Sequence, residues 1–128
     1  MQSPKILVIG ESCLDSHVLC KVERFCPEGP VPVLDVLEET FTYGMASNVG
    51  ANIQSLGYGC DIITNTNRDK VKKTRLIEKK HNHLFLRVDD CEPIERIVGL
   101  QDIDFKDYDV VVISDYNKGF LTESDINY

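Results

Sequence analysis

The chain has 128 residues, room for one ordinary domain, and its 42% hydrophobic and 27% charged residues mark a folded globular protein rather than a disordered one. A formal charge of −7, from 14 basic and 21 acidic residues, argues against a general nucleic-acid binder. No apolar run approaches the roughly 20 residues that a membrane-spanning helix needs.

The first residues, MQSPKILVIG, hold an apolar stretch that stops at Gly10, shorter than a secretory h-region, so a cytoplasmic protein is expected. Lys5–Ile9 is a continuous apolar run suited to a parallel strand buried on both faces. Residues 16–23 resemble a more exposed strand. CPEGPVPV, residues 26–33, cannot be helix and predicts a rigid extended connection, and the residues up to Tyr43 have strand-like β-branched and aromatic density.

Next comes TYGMASNVGANIQSLGY, residues 42–58. Val49, Ile53 and Leu56 stand at helical spacing, and Gly57 sits where a C-cap glycine belongs. CDIIT, residues 60–64, is a second short buried strand. Lys73–Lys79 and Leu84–Asp89 read as a hairpin turning near KKHNH; residues 92–105 read as helix and loop. DVVVIS, residues 109–114, is a third buried parallel strand ending in the polar loop DYNKG. The expected fold is α/β: a parallel sheet with helices, interleaved with half-exposed strands that form a small separate sheet over one end.

The chemistry is concentrated at three loops. In open parallel sheets ligands bind beyond the carboxyl ends of the strands. Residues 10–15, 44–52 and 114–119 should converge there, offering carboxylates, amides and a lysine that can chelate sugar hydroxyls. Asp15 could equally be a turn residue, Asn48 a helix cap and Lys118 a surface charge. Half of the basic residues fall in RDKVKKTRLIEKK, residues 68–80, which is either an anion-binding surface or, the commoner device, a lysine-guarded strand edge. The five cysteines are odd in number and form no C-x-x-C pair, so reduced thiols are expected rather than disulfides or zinc. His81-x-His83 lacks a third ligand, so no metal site is assigned. There is no P-loop, and Gly57-x-Gly59 follows a helix instead of opening one.

Four stretches together resemble the ribokinase-type (PfkB) carbohydrate kinases, most closely their heptose-7-phosphate kinase branch. They are ILVIGESCLD (6–15), RFCPEGPVPVLDV (24–36), YGMASNVGANIQSLG (43–57) and VVISDYNKGFLT (111–122), with KTR (73–75) and LRVD (86–89) resembling lid strands. The resemblance implies a partial ribokinase-like, Rossmann-like domain over 1–128: core at about 1–15, 44–66 and 92–128, lid strands at about 16–43 and 70–91. It implies sugar binding by Asp15, Gly44 and Asn48, and makes Arg75, Arg87 and Lys118 candidates for the substrate's phosphate or for lid contacts. ATP and Mg²⁺ are the family's cofactors, and its lid often mediates dimerisation.

Three departures shape the expectation. The family's paired glycines in the sugar loop read Gly44-Met45 here. The passage from Thr64 to Lys73 is roughly thirty residues short of an ordinary α/β unit. The family's catalytic G-A-G-D segment has no counterpart among the 128 residues. The expectation is therefore a sugar-phosphate-binding half of a carbohydrate kinase that assigns no catalytic residue, binds no cofactor by itself, and works as a homodimer or with a complementing kinase half. The rivals are one subunit of a split ATP-dependent kinase and a non-catalytic, self-associating module. Neither nucleic acid nor membrane is an expected partner.

Overall fold

The structure is a computed structural model describing residues 2–128. Three parallel strands form the core sheet: β1 (Ile6–Gly10), β4 (Cys60–Ile63) and β7 (Val110–Ser114), in the order β4-β1-β7. Leu7 and Val8 of the central strand are fully buried, as its unbroken apolar run requires. The register pairs Ile6 with both Cys60 and Val110, so all three strands point their carboxyl ends the same way. Leu7 and Ile9 pack with Ile97, Phe120 and Leu121 to make the main core.

The second sheet has four strands in the order β3-β2-β5-β6. They are β2 (Ser12–Phe25), β3 (Pro32–Met45), β5 (Val71–Glu78) and β6 (His83–Cys91). β2 and β3 form a long antiparallel hairpin. The proline-rich segment expected to be an extended connection instead reverses the chain, closed by Cys26 N–H donating to the Val31 carbonyl at 2.7 Å. β2 is more central than its sequence suggested: Ser16, Val18 and Cys20 are buried because β3 and β5 flank it on either side. The lysine-rich run is not a sheet edge, because β6 pairs along β5 and encloses it.

Helix α1 (Ala46–Ser55) lies on the core sheet through Ala46, Ser47 and Gly50. Val49 and Ile53 of the expected stripe are half-buried, but Leu56 is 74% exposed. Small residues win here because a side chain at Gly50 would collide with Ile62, so the helix sits directly on β4. The helix ends as expected at Gly57 (φ +90°): Gly57 N–H donates to the Gln54 carbonyl and Tyr58 N–H to Ile53, a Schellman closure. Residues 92–105 hold no α-helix; a single turn of 3₁₀ helix, Leu100–Asp102, lies there, and a second, Phe105–Asp107, follows. Ile94, Ile97, Leu100, Ile103 and Phe105 nonetheless cover the core, so burial is achieved without helical periodicity. A short helix α2 (Glu123–Ile126) is closed by a Thr122/Asp125 capping box.

The chain crosses between the sheets at a few tight junctions. Only Glu11 separates β1 from β2, and β3 runs straight into α1 at Met45. The two junctions are tied by Ala46 N–H donating to the Glu11 carbonyl at 3.0 Å.

Candidate functional site: the cleft between the two sheets

A cavity of about 320 Å³ lies where the second sheet meets the core, lined by Met45, Val71, Lys73, Arg87, Ile94 and Lys118 among others. The register explains the convergence. Lys73 is the Cα partner of both Asp15 and Asp89, and Arg75 of both His17 and Arg87, so these side chains share one face of the sheet. Arg75 and Arg87 stand directly opposite one another, a repulsive pairing by itself. Each is compensated: Arg75 donates to Asp15 at 2.9 Å, and Arg87 donates to Asp89 at 2.9 Å. Lys73 and Lys118, by contrast, make no ion pair within 4 Å among the described residues, and with Arg87 they outnumber the two carboxylates of the lining, Asp89 and Glu92.

The six residues singled out in the sequence separate into three groups. Arg87 and Lys118 line the cavity. Asp15, Arg75 and Gly44 form a neighbouring cluster, in which a methyl at Gly44 would collide with Asp15 Oδ2 and press on Cys13 Sγ at 2.9 Å. Asn48 is the third residue of α1; it is exposed and is not among the cavity's lining residues. The positive φ at this junction belongs not to Gly44 but to its neighbour: Met45 has φ 60° and ψ −126°. Its side chain is buried against Cys13 and Val71 and forms part of the cavity wall. Burial, and secondarily the nearby Asp15 carboxylate, push the Cys13 thiol above its ordinary pKa, so it is not a poised nucleophile.

Several residues that hold the site together went unremarked in the sequence. Ser12 Oγ accepts from Ser47 N–H (3.1 Å) and is hydrogen-bonded to the Ser47 and Thr64 hydroxyls (2.7 Å each), donating to one of the two. Asn65 closes on the Ser12 backbone from both ends, accepting its N–H at 2.7 Å and donating to its carbonyl at 3.2 Å. Asn65 Nδ2 also donates to Asn67 Oδ1, and Asn67 Nδ2 donates to the Pro93 carbonyl. Arg68 donates to Ser47 Oγ and stacks 3.7 Å over the Tyr43 ring, while the Tyr43 hydroxyl donates to Asp69. The short passage between β4 and β5 is thus sealed by buried amides and hydroxyls. The run T-N-T-N was visible in the sequence as a cluster of hydrogen-bonding side chains; its burial was not.

ATP and Mg²⁺ require a phosphate cradle and carboxylate ligands. Among the described residues no group of three or more His, Cys, Asp or Glu side chains could hold a metal ion. Met45, at the junction entering α1, turns its side chain onto Cys13 and Val71. These residues do not by themselves fit a nucleotide–metal site, and no phosphoryl-transfer step is derived through one.

A parallel core sheet capped by a four-stranded sheet is the ribokinase-like fold. The chain superposes over 98% of its length on phosphofructokinase-2 from Escherichia coli, solved with fructose 6-phosphate, with a TM-score of 0.57 at 14% identity, covering 49% of that chain. In sequence it is a relative of the bifunctional HldE proteins. It is 35% identical to that of Campylobacter jejuni subsp. doylei over 145 residues, and 33% identical to that of Helicobacter hepaticus over 156. These alignments take in 94% and 95% of this chain, but the chain spans only about a third (32%) of either relative's length. No family model matches it. The 145 aligned positions exceed the about 120 residues that 94% of 128 supplies, so roughly 25 positions face gaps in this chain. No helix of the described residues is long and apolar enough to cross a membrane.

Proposed function

We propose that the cleft binds the phosphate of a phosphorylated sugar, and that these residues form the acceptor side of a PfkB-type, heptose-phosphate-like carbohydrate kinase. One observation carries the reading: Lys73, Arg87 and Lys118, from two strands and a loop distant in sequence, line a single cavity, and Lys73 and Lys118 make no ion pair within 4 Å among the described residues. Lys73 is half-buried and Arg87 and Lys118 are exposed at the mouth of the cavity, and cations gathered in this way favour a charged ligand oxygen. The Asp15–Arg75 pair beside the cleft supplies the polar groups for sugar hydroxyls. Phosphoryl transfer would draw its ATP site from residues outside these 128, in the same or a complementing polypeptide.

A second reading concerns assembly. Leu37, Phe41, Leu86 and Val88 of the second sheet are each about half exposed, more contiguous apolar surface than a solitary sheet leaves open. A homodimer through this sheet covers it. The test is calorimetric titration with heptose 7-phosphate, fructose 6-phosphate and ATP, alongside light scattering. Sugar-phosphate binding lost in Lys73→Ala and Lys118→Ala supports the acceptor site. Absence of sugar-phosphate binding in a dimeric protein leaves the self-associating module, and a monodisperse monomer contradicts the dimer.

A further inference from the structure

Glu11 has a role that its neighbours in the sequence do not suggest. It is fully buried where β1 hands over to β2. Its Oε1 accepts two backbone N–H groups from the loop after β7, Tyr116 at 2.9 Å and Lys118 at 3.0 Å. Its Oε2 is buried without a hydrogen-bond partner. Between the two donors Asn117 adopts φ 55°, and Gly119 follows at φ 95°. The loop is therefore coiled into a small concavity of N–H groups, a nest that favours an anion, and Glu11 fills it from beneath.

A half-paired carboxylate in the core costs more than an apolar residue of similar size would. A position kept at that cost serves something other than stability. The loop held by Glu11 carries Lys118, one of the two lysines of the cleft that make no ion pair among the described residues. We infer that Glu11 is a positioning residue: by anchoring the Tyr116 and Lys118 amides it fixes the backbone from which Lys118 reaches the ligand's phosphate. The inference rests on the cleft being the phosphate site proposed above. Glu11 does not itself line the cavity, and it acts only through the loop.

The test is a double-mutant cycle in inorganic phosphate and fructose 6-phosphate affinity, using Glu11→Ala, Lys118→Ala and the pair, with thermal melts verifying that each is folded at the assay temperature. Lys118→Ala should weaken binding about tenfold, the worth of one hydrogen bond to a charged group. Glu11→Ala should do nearly the same, and the pair should lose no more than about twofold beyond either single variant. Glu11→Gln keeps the accepting oxygen and should restore affinity to within about twofold of wild type. Amide exchange at Tyr116 and Lys118 should be slow in wild type and Glu11→Gln, and fast in Glu11→Ala. Additive losses, or unchanged affinity in Glu11→Ala, would overturn the positioning role. A wild-type protein that binds neither probe would overturn the cleft reading, and the role of Glu11 with it.

Discussion

Met45 is where the cleft's chemistry and its stability oppose each other. Its backbone occupies a region that only glycine adopts at ease, and such strain costs of order 1–3 kcal/mol. Its side chain is 8% exposed and packs on Cys13 and Val71, so truncation to alanine should cost about 2–5 kcal/mol. Met45→Ala bears that loss and keeps the strain. Met45→Gly bears nearly the same loss, relieves the strain, and adds about 0.5–1 kcal/mol of glycine entropy in the unfolded chain. Glycine should therefore be the more stable of the two variants by about 1 kcal/mol, reversing the usual order. Urea denaturation read by circular dichroism measures this directly: with a slope of about 1–3 kcal/mol/M, the midpoint of Met45→Gly should lie roughly 0.3–1 M above that of Met45→Ala. If alanine proves equal to or more stable than glycine, residue 45 is not strained and the account of this junction is wrong. The glycine variant should also widen the cleft and bind fructose 6-phosphate more tightly than wild type.

Other consequences are simpler to measure. Gly44→Ala forces Asp15 from its place, so the Asp15–Arg75 pair should break, with a destabilisation of about 1–3 kcal/mol by overpacking in thermal or urea unfolding. The Asp125 carboxyl is held below the usual range by the Thr122 backbone N–H and hydroxyl and, further, by Arg96, despite some desolvation. A depressed folded pKa gives stability that is complete above about 3.9 and disappears as pH falls through the folded value. The α2 cap should therefore loosen only in strong acid, visible by carboxyl NMR titration, and Asp125→Asn should abolish that dependence. Cys13 and Cys20 are buried, so a disulfide reagent at neutral pH should spare both until urea is added, while Cys91, whose thiol is also raised by desolvation and by Asp89, is exposed and should react without unfolding.

Much of the architecture was legible because it follows from local pattern. The apolar runs at Lys5–Ile9 and Asp109–Ser114, and the glycine stop at Gly57, became parallel strands and a capped helix, but the second run, expected to be buried, is an edge strand with Val110, Val111 and Ile113 exposed. Residues 92–105 misled because core contacts there are spaced irregularly along an extended chain, which a helical or strand period does not describe. The lysine-rich run misled for a different reason: whether a strand is an edge depends on what pairs beside it, and β5 is interior because β2 pairs along its other side from the hairpin partner expected at Leu84–Asp89. At the site, Lys118 was legible as the lysine of a polar loop and Arg87 only through the family resemblance, whereas Lys73 lay within a charged run and becomes notable only through its register with Asp15. The burial of Glu11, Ser12, Asn65 and Asn67 was not legible, because polar residues acquire this meaning only when the fold brings them together away from solvent.

The most direct measurement is a backbone and side-chain NMR titration of the wild-type protein with fructose 6-phosphate. The account expects saturable shifts centred on Lys73, Arg87 and Lys118, extending to Asp15 and the Tyr116–Gly119 loop. Shifts confined to the outer apolar face of the second sheet, or none at millimolar ligand, would contradict the claim that the cleft between the two sheets is a sugar-phosphate site.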